Sequence, residues 1–400
     1  MGAIFGARGI GDWAANTERP TSYHDVIFKQ APDIAPFLNL TSKLPKGEVK
    51  DFVYNIFEEP IVVQYVTTTG SHDNATTTIN LAGTTPAKNL RAGLLLRNER
   101  TDEILHVAAD PASAWTSFTS GTRGAFGTAA ASMNSGDVLR IIGSLGVELR
   151  TAVTARSDSL SVVTNYLQDF EESAEISDWS EDMEIRPKSE KAWAREKRRS
   201  MERFKVMIEE AFFWGRKLST TVSSKQAYAT GGLKQFVTTN VFDDSSTGTS
   251  LDRIEDVIQA LGKYGSATKW AFAGAGAITR INRIIRNNAN LNFDMSEPID
   301  RRQTWGLNVR NMQTPHLELQ LIKSHLLTES AVGTNMLFVV DPKYVKLAQY
   351  DSKIGPIRFD DDIKKDDGYT GRKGRWRGVL GLMLGQEMMH GIWTVGAFAP

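Results

Sequence analysis

The sequence predicts an α+β chain arranged around one long helix, and three observations predict it. Residues 187–218 carry a helical apolar stripe: Trp193, Ser200, Phe204, Ile208 and Ala211 are spaced by threes, fours and sevens, and Met201, Met207 and Phe212 widen it. Residues 52–157 read as short β-branched runs separated by turn residues. From residue 241 onward, helical and strand patterns alternate.

Taken in order, residues 1–51 read as an arm. Gly2, Gly6, Gly9 and Gly11 open it, Pro20, Pro32, Pro36 and Pro45 punctuate it, and its apolar anchors are Ile27, Phe28, Ile34, Phe37, Leu38 and Leu40. One short helix fits Ser22 to Lys29. So few anchors bury no core of their own, so the arm must dock elsewhere or stay mobile. The start lacks the basic-then-apolar pattern of a signal peptide, and Gly6 sits where a myristoylation motif requires Ser or Thr.

Residues 52–157 form the expected small antiparallel β unit. Ile61 to Val66 and Thr76 to Leu81 flank a polar tip at Gly70 to Ala75, which is a hairpin signal. Both of its faces carry β-branched residues, so the hairpin is expected to project and to be ordered by lying across a neighbouring chain. Further strands are expected at Gly93 to Arg97, Glu103 to Ala108, Ala114 to Thr119 and Val138 to Ile142.

Residues 158–240 hold Leu160 to Val163, an acidic run and the helix. The run contains Asp169, Glu171, Glu172, Glu175, Asp178, Glu181, Asp182 and Glu184. The helix that follows starts basic, with Lys188, Lys191, Arg195, Lys197, Arg198, Arg199 and Arg203. Either both are solvated, or they are complementary charges on neighbouring copies. Pro187 and Ser189 suit a helix start and Gly215 a left-handed stop. A helix over 187–218 would be roughly 45 Å long at ~1.5 Å per residue.

Residues 241–334 read as α/β. Leu251 to Tyr264 is a helix capped by Ser250 with Ile254, Val257, Ile258 and Leu261 inward; Lys269 to Ala273 is a strand and Ala277 to Asn287 a helix. Trp305 to Gln313 and Leu317 to Lys323 are strands. Residues 335–400 add strands at Met336 to Val340, Tyr344 to Gln349, Val379 to Leu384 and Gly391 to Val395, around a charged loop at 360–377.

Composition narrows the function. Lys plus Arg and Asp plus Glu both number 47, so a chain built to grip nucleic acid, which would be basic, is disfavoured. The absence of cysteine excludes disulfides, thiolate metal sites and cysteine nucleophiles. Gly274 and Gly276 sit in a strand–turn–helix where phosphate can bind, but Thr279 replaces the third glycine of a dinucleotide fingerprint. Asp360, Asp361, Asp362, Asp366 and Asp367 lack the alternation of a calcium loop and read as a solvated acidic loop. His24, His72, His106, His316, His325 and His390 are scattered without ligand spacing. No catalytic, cofactor-binding or metal-binding residue is therefore singled out.

An arm, a protruding hairpin and a long helix without a catalytic constellation suit a chain that is assembled. Their order resembles the major capsid (major head) protein of tailed bacteriophages, with the Johnson, chainmail-type fold. Local motifs carry the likeness: Arg123-Gly124 with Gly127-Thr128, Gly136-Asp137-Val138-Leu139, Asn165-Tyr166-Leu167-Gln168-Asp169-Phe170, Glu209-Glu210-Ala211-Phe212-Phe213-Trp214-Gly215, Val340-Asp341-Pro342-Lys343-Tyr344-Val345 and His390-Gly391. The resemblance implies that 1–51 is the N-terminal arm, that the hairpin is the extended loop and that 187–218 is the spine helix. It implies a peripheral domain over 158–240 that is rejoined by 335–400, and an axial domain over 241–334. It further implies a non-enzyme without cofactors, self-assembling as hexamers and pentamers into a virion head around double-stranded DNA. Scaffolding, portal and decoration proteins would be its other partners, and the host cytoplasm its place of synthesis. The short arm implies a separate scaffolding protein or none. Two alternatives are a cellular nanocompartment shell of the same fold and a carbohydrate-active enzyme with a β-rich accessory domain.

Overall fold

The computed structural model of the chain describes residues 35–59, 61, 65–83, 88–111, 115–146, 160–182, 191–287, 303–304, 307–361, 363 and 371–397. Of 285–287, 303–304, 307–311 and 313 it describes the backbone alone. The expected helix at Ser22 to Lys29, the anchors Ile27, Phe28 and Ile34, the helix-start residues Pro187 and Ser189, and Asp362, Asp366 and Asp367 lie outside the described residues. The chain divides into two compact units: Glu58–Ser161, and the flanking Met1–Phe57 with Val162–Pro400.

The first unit is a closed barrel. Its strands run in the order Tyr65–Thr68, Thr78–Ala82, Ser117–Thr122, Ile104–Val107, Leu94–Asn98 and Val138–Ser144, the last pairing back to the first. Alternate side chains point inward, so Val66, Ile79, Leu81, Leu96, Leu105, Val107, Phe118 and Leu139 fill the interior. The expected projecting hairpin is corrected here. Thr67 and Thr68 do pair with Ala82 and Leu81, but both strands are staves of the barrel. Closure buries one face, with Val66, Ile79 and Leu81 in the interior of the same unit, while Ile61 and Tyr65 stay exposed. The polar tip is pinned as well. His72 is buried and its backbone exchanges hydrogen bonds with Met133, while the Asp73 carboxylate accepts from the Ala75 and Thr76 amides.

The second unit is built on the long helix Ala192–Trp214, whose 23 residues span about 35 Å. The expected stripe is buried, with Phe204, Ile208 and Phe212 fully inside beside Phe213. The helix stops short of the expected Leu218. Gly215 ends it at φ −55° and ψ 148°, which is not left-handed. The glycine is needed for space: a Cβ there would lie 2.2 Å from the Ala211 carbonyl oxygen and 2.7 Å from that of Thr230. Leu218 instead opens a two-stranded ribbon, Leu218–Val222 with Lys225–Ala229, whose first strand is exposed throughout.

The described end of the arm docks on this helix. Pro36–Thr41 forms one helical turn, with proline at its start. The Phe37 ring lies 5.2 Å from Phe213 and 5.0 Å from Phe272, and Leu38 and Leu40 join the same core. Glu209, fully buried on the long helix, accepts the Leu38 amide at 3.0 Å.

Two sheets complete the unit. One joins Gly47–Val49, Val345–Tyr350, Arg372–Leu384 and Gln168–Ile176, with Arg358–Asp360 beside Arg372–Leu384. The end of the expected charged loop 360–377 is corrected by it, because Arg372 to Arg377 begin a 13-residue strand antiparallel to the acidic one. Its cations meet the acidic run of the same chain: Asp169 to Arg377 at 2.6 Å, Glu171 to Arg375 at 3.1 Å and Glu175 to Lys373 at 3.2 Å. Glu172 takes Arg203 of the long helix at 2.7 Å. Opposite charges across a ladder stabilise a strand that composition alone reads as solvated loop. Asp169, Glu171, Glu172 and Glu175 therefore have partners in their own chain.

The second sheet has seven strands, in the order Val241–Asp243, Gly391–Thr394, Met336–Val340, Thr268–Ala273, Glu318–Lys323, Leu307–Gln313 and Gln303–Thr304. Leu251–Gly262, capped by Ser250 on the Arg253 amide, buries Ile254, Val257, Ile258 and Leu261 in the core of this sheet. The sheet takes strands from both sides of the expected border at 334/335.

Candidate assembly surfaces

Among the described residues, the Gly274–Gly276 turn and the acids Asp360 and Asp361 have partners within the chain that explain them otherwise. Gly274 and Gly276 open the helix Ala275–Asn287, but the turn is already filled from within the chain. The Ala275 amide donates to Thr328 Oγ1 and the Gly276 amide to Thr334 Oγ1. A Cβ on Gly274 would sit 2.4 Å from the Thr334 carbonyl oxygen, so the glycine serves close packing. Asp360 is paired with Arg358 and Arg375, and Asp361 with Arg372. Among the described residues no three His, Asp or Glu side chains are grouped to hold a metal ion.

The buried titratable groups near the second sheet hold backbone together. Lys269 donates through Nζ to the carbonyls of Leu261, Tyr264 and Met389 at 2.7, 2.8 and 2.7 Å. Burial lowers its pKa to about 8, against the pull of Asp341. His390 accepts the Asp341 amide on Nδ1 at 3.2 Å, so Nε2 carries the proton and faces the Gly385 carbonyl at 3.1 Å. Burial lowers this imidazole to about 4, which keeps it neutral. Both side chains therefore bind the 385–390 turn to the sheet.

The barrel is anchored by two ion pairs. Arg123 Nε meets Glu103 Oε1 at 2.7 Å, with both side chains almost wholly buried. Arg123 also donates to the carbonyls of Asp73, Thr76 and Ala131, and Glu103 accepts the Gly124 and Ala131 amides. Asp137 takes Arg100 at 2.7 Å and Asn98 at 3.1 Å. The Arg100 hydrogen bond holds the Asp137 carboxyl down at about 2. The sequence motif therefore contained the right residues, Arg123 and Asp137, without revealing their work. Glu103 and Arg100 carry no local signal that would have found them.

Beside the first pair, the 124–127 turn presents Phe126 to solvent at 64% exposure with φ 56° and ψ 37°. A left-handed conformation costs a non-glycine residue roughly 1–2 kcal/mol. Gly124 and Gly127 flank it with positive φ angles of their own. Its signal was readable: an aromatic between glycines in a turn.

The remaining candidate surfaces are apolar. Phe57 and Val162 are exposed on the paired strands Val53–Glu58 and Ser161–Tyr166, and Trp179 is 81% exposed on the short helix Asp178–Asp182. Leu218 and Val222 are exposed on the ribbon after the long helix. A groove of about 550 Å³ opens beside the edge strand Val241–Asp243; Val237, Val241, Val332, Met336 and Ile392 line it together with the polar Lys234, Asp243, Ser245, Arg280, Asn335 and Thr394. No described helix is long and apolar enough to cross a membrane.

Comparison with known proteins gives the family. The family described as SU10 major capsid protein matches residues 10–395. The chain belongs to that family. As a phage major capsid protein it has the fold class expected from sequence, and the carbohydrate-active reading gives way. A search of curated protein sequences finds no match. Among solved structures, the chain is similar to one titled Mycobacterium phage Adephagia, at 9% identity over 98% of this chain and 100% of that one, with a TM-score of 0.48. It is similar to the capsid of a native GTA particle at 8% identity over 98% and 99%, with a TM-score of 0.47. It is also similar to the holo-SrpI encapsulin complex from Synechococcus elongatus PCC 7942 at 9% identity over 59% and 77%, with a TM-score of 0.39.

Proposed function

We propose that copies of this capsid protein self-assemble as hexamers and pentamers into an icosahedral head that encloses double-stranded DNA, without enzymatic activity. The family match over residues 10–395 carries this reading. The exposed apolar residues support it, because isolated copies leave Phe57, Trp179, Leu218 and Val222 in water. Each contact is weak alone, and many contacts per copy make the shell strong. The helix Ala192–Trp214 serves as the spine, the barrel occupies the place of the extended loop, and the two sheets form the peripheral and axial domains. A formal net charge of zero suits a container that must hold DNA without binding its sequence. Scaffolding, portal and decoration proteins are the further partners, and synthesis takes place in the host cytoplasm.

The test is to purify the chain and follow it by size-exclusion chromatography and negative-stain microscopy across protein and salt concentrations. Closed shells with five- and six-fold capsomers are expected. A chain that stays monomeric throughout would overturn self-assembly.

A further inference from the structure

We propose that the open edge of Leu218–Val222 pairs antiparallel with the same edge of a second copy of this chain, about a two-fold axis at Thr220. The inference rests on the self-assembly reading and adds to it a contact between neighbouring capsomers. Three observations carry it. First, the edge is unguarded. Leu218–Val222 is exposed throughout and pairs on one side only, with Lys225–Ala229. Exposed edges are ordinarily blunted by charge, proline or a bulge. The edge strands Gly47–Val49 and Val241–Asp243 carry Glu48 and Asp243 in this way. Leu218 to Val222 include neither charge nor proline, and their register with the inner strand is unbroken. Second, the ribbon is held from behind. Tyr228 of the inner strand stacks on Phe52 at 5.7 Å and packs on Tyr166 at 5.4 Å, and Gln226 Nε2 donates to Ser219 Oγ at 2.7 Å. A free two-stranded ribbon is marginal in water, so this anchoring presents a preformed edge and lowers the entropy lost on pairing.

Third, the edge complements itself. Ser223 and Ser224, with φ 48° and 60°, form the two-residue turn, which makes Val222 and Lys225 the hydrogen-bonded pair beside it. Hydrogen-bonded and non-hydrogen-bonded pairs alternate, so Leu218, Thr220 and Val222 turn their backbone groups toward the inner strand, while Ser219 and Thr221 turn theirs outward into water. A second copy rotated about Thr220 sets its Thr221 opposite Ser219 and its Ser219 opposite Thr221. Each of these pairs exchanges both of its backbone hydrogen bonds, so every outward N–H and C=O of the two residues is satisfied. The side chains agree with that register. Leu218 meets Val222 of the other copy on either side of the axis, and Thr220 meets its own counterpart. These are the non-hydrogen-bonded positions, where cross-strand side chains lie closest, and apolar and Thr–Thr pairs stabilise a ladder. Leu218 and Val222, exposed in the isolated chain, are thereby covered. The contact is isologous, so it closes on two copies and lies between rings rather than within one.

The experiment uses the full chain. Because the sequence has no cysteine, Thr220→Cys places a single thiol at the two-fold axis. The Cα atoms of a non-hydrogen-bonded pair are about 4.5 Å apart, a distance a disulfide can bridge. Oxidised Thr220→Cys shells should run as dimers on a denaturing gel, and Ala227→Cys shells, with the thiol on the inner strand, as monomers. Thr220→Lys sets like charges face to face across the axis, and so does Thr220→Glu. Each alone should need a protein concentration at least about tenfold higher than wild type to form shells, and an equal mixture of the two should assemble at a lower concentration than either. Thr220 is exposed, so the dissociated subunits should melt as wild type does. Thr220→Cys shells with no more dimers than Ala227→Cys, or normal assembly of Thr220→Lys and Thr220→Glu, overturn the pairing while leaving self-assembly standing. A mixture no better than its components overturns it too, because the edge would then meet a different surface. A wild-type chain that forms no shells overturns both readings.

Discussion

The barrel and the helix-centred unit are stabilised in different ways. The barrel takes all its strands from one continuous segment, and one end of it is fastened by charged pairs, Glu103 with Arg123 and Asp137 with Arg100. The other unit gathers its core from distant places. Phe37, Phe170, Phe204, Phe213, Phe272 and Phe338 meet in one cluster, and Phe37 and Ile392 of that cluster lie near opposite ends of the described sequence. Local closure costs little chain entropy, whereas gathering distant segments costs more and must be offset by a larger apolar gain. The small barrel depends on geometry and hydrogen bonds, and the large unit depends on aromatic burial.

Substitutions can break each region by itself. The largest effect is expected from Phe204→Asp, which removes a fully buried ring and leaves a charge in apolar packing. The cost should exceed about 5 kcal/mol and yield insoluble protein. Soluble, normally melting protein would refute the role of the aromatic cluster. Next is Glu103→Ala. Stripping one partner from a buried pair costs about 3–5 kcal/mol. Hydrogen exchange should quicken across residues 65–144 while the 192–214 helix keeps its protection, and uniform loss across both units would erase the comparison.

The third expectation concerns pH. Burial raises the Glu209 carboxyl from 4.5 to about 8, against the opposing Leu38 and Phe37 amides. The folded value is above the unfolded one, so this contribution is complete below about 4.5 and is lost as pH rises through about 8. Stability should fall across that window by at most about 1.4 kcal/mol per pH unit. Glu209→Gln, which keeps an acceptor for Leu38, should flatten the profile; an unchanged slope would place the effect elsewhere. The smallest effect is expected from Arg377→Gln. Its pair with Asp169 is partly exposed, so the loss should be about 0.2–1 kcal/mol and shrink in high salt. A loss unaffected by salt would mean that the strand is held by packing instead.

Local periodicity made part of this legible. The phase of the long helix, the Ser250 cap and the strand Met336–Val340 all follow from residues near one another in sequence. Barrel closure was hidden because it pairs Tyr65 with Arg140, across a separation no local pattern encodes. The strand at Arg372 was hidden for the same reason: its charges read as solvated until the acidic strand, 200 or so residues earlier, lies beside them. The assembly surfaces were legible only as a class. The arm was expected to need a partner, and Phe37 and Leu38 find theirs on the long helix. Phe126 gave no sign of its backbone conformation beyond its flanking glycines.

The parallel pairing of Gly47–Val49 with Val345–Tyr350 sets the order of events during synthesis. A ribosome delivers residues 47–49 long before their partner exists, while the barrel can close once residue 144 has emerged. Through that interval the nascent chain carries a finished barrel and an unfinished body. Limited proteolysis of stalled chains should find residues 65–144 resistant and the 192–214 helix sensitive until residue 394 is out. The seven-stranded sheet is joined up only with Gly391–Thr394, which pairs with Val241–Asp243 on one side and Met336–Val340 on the other.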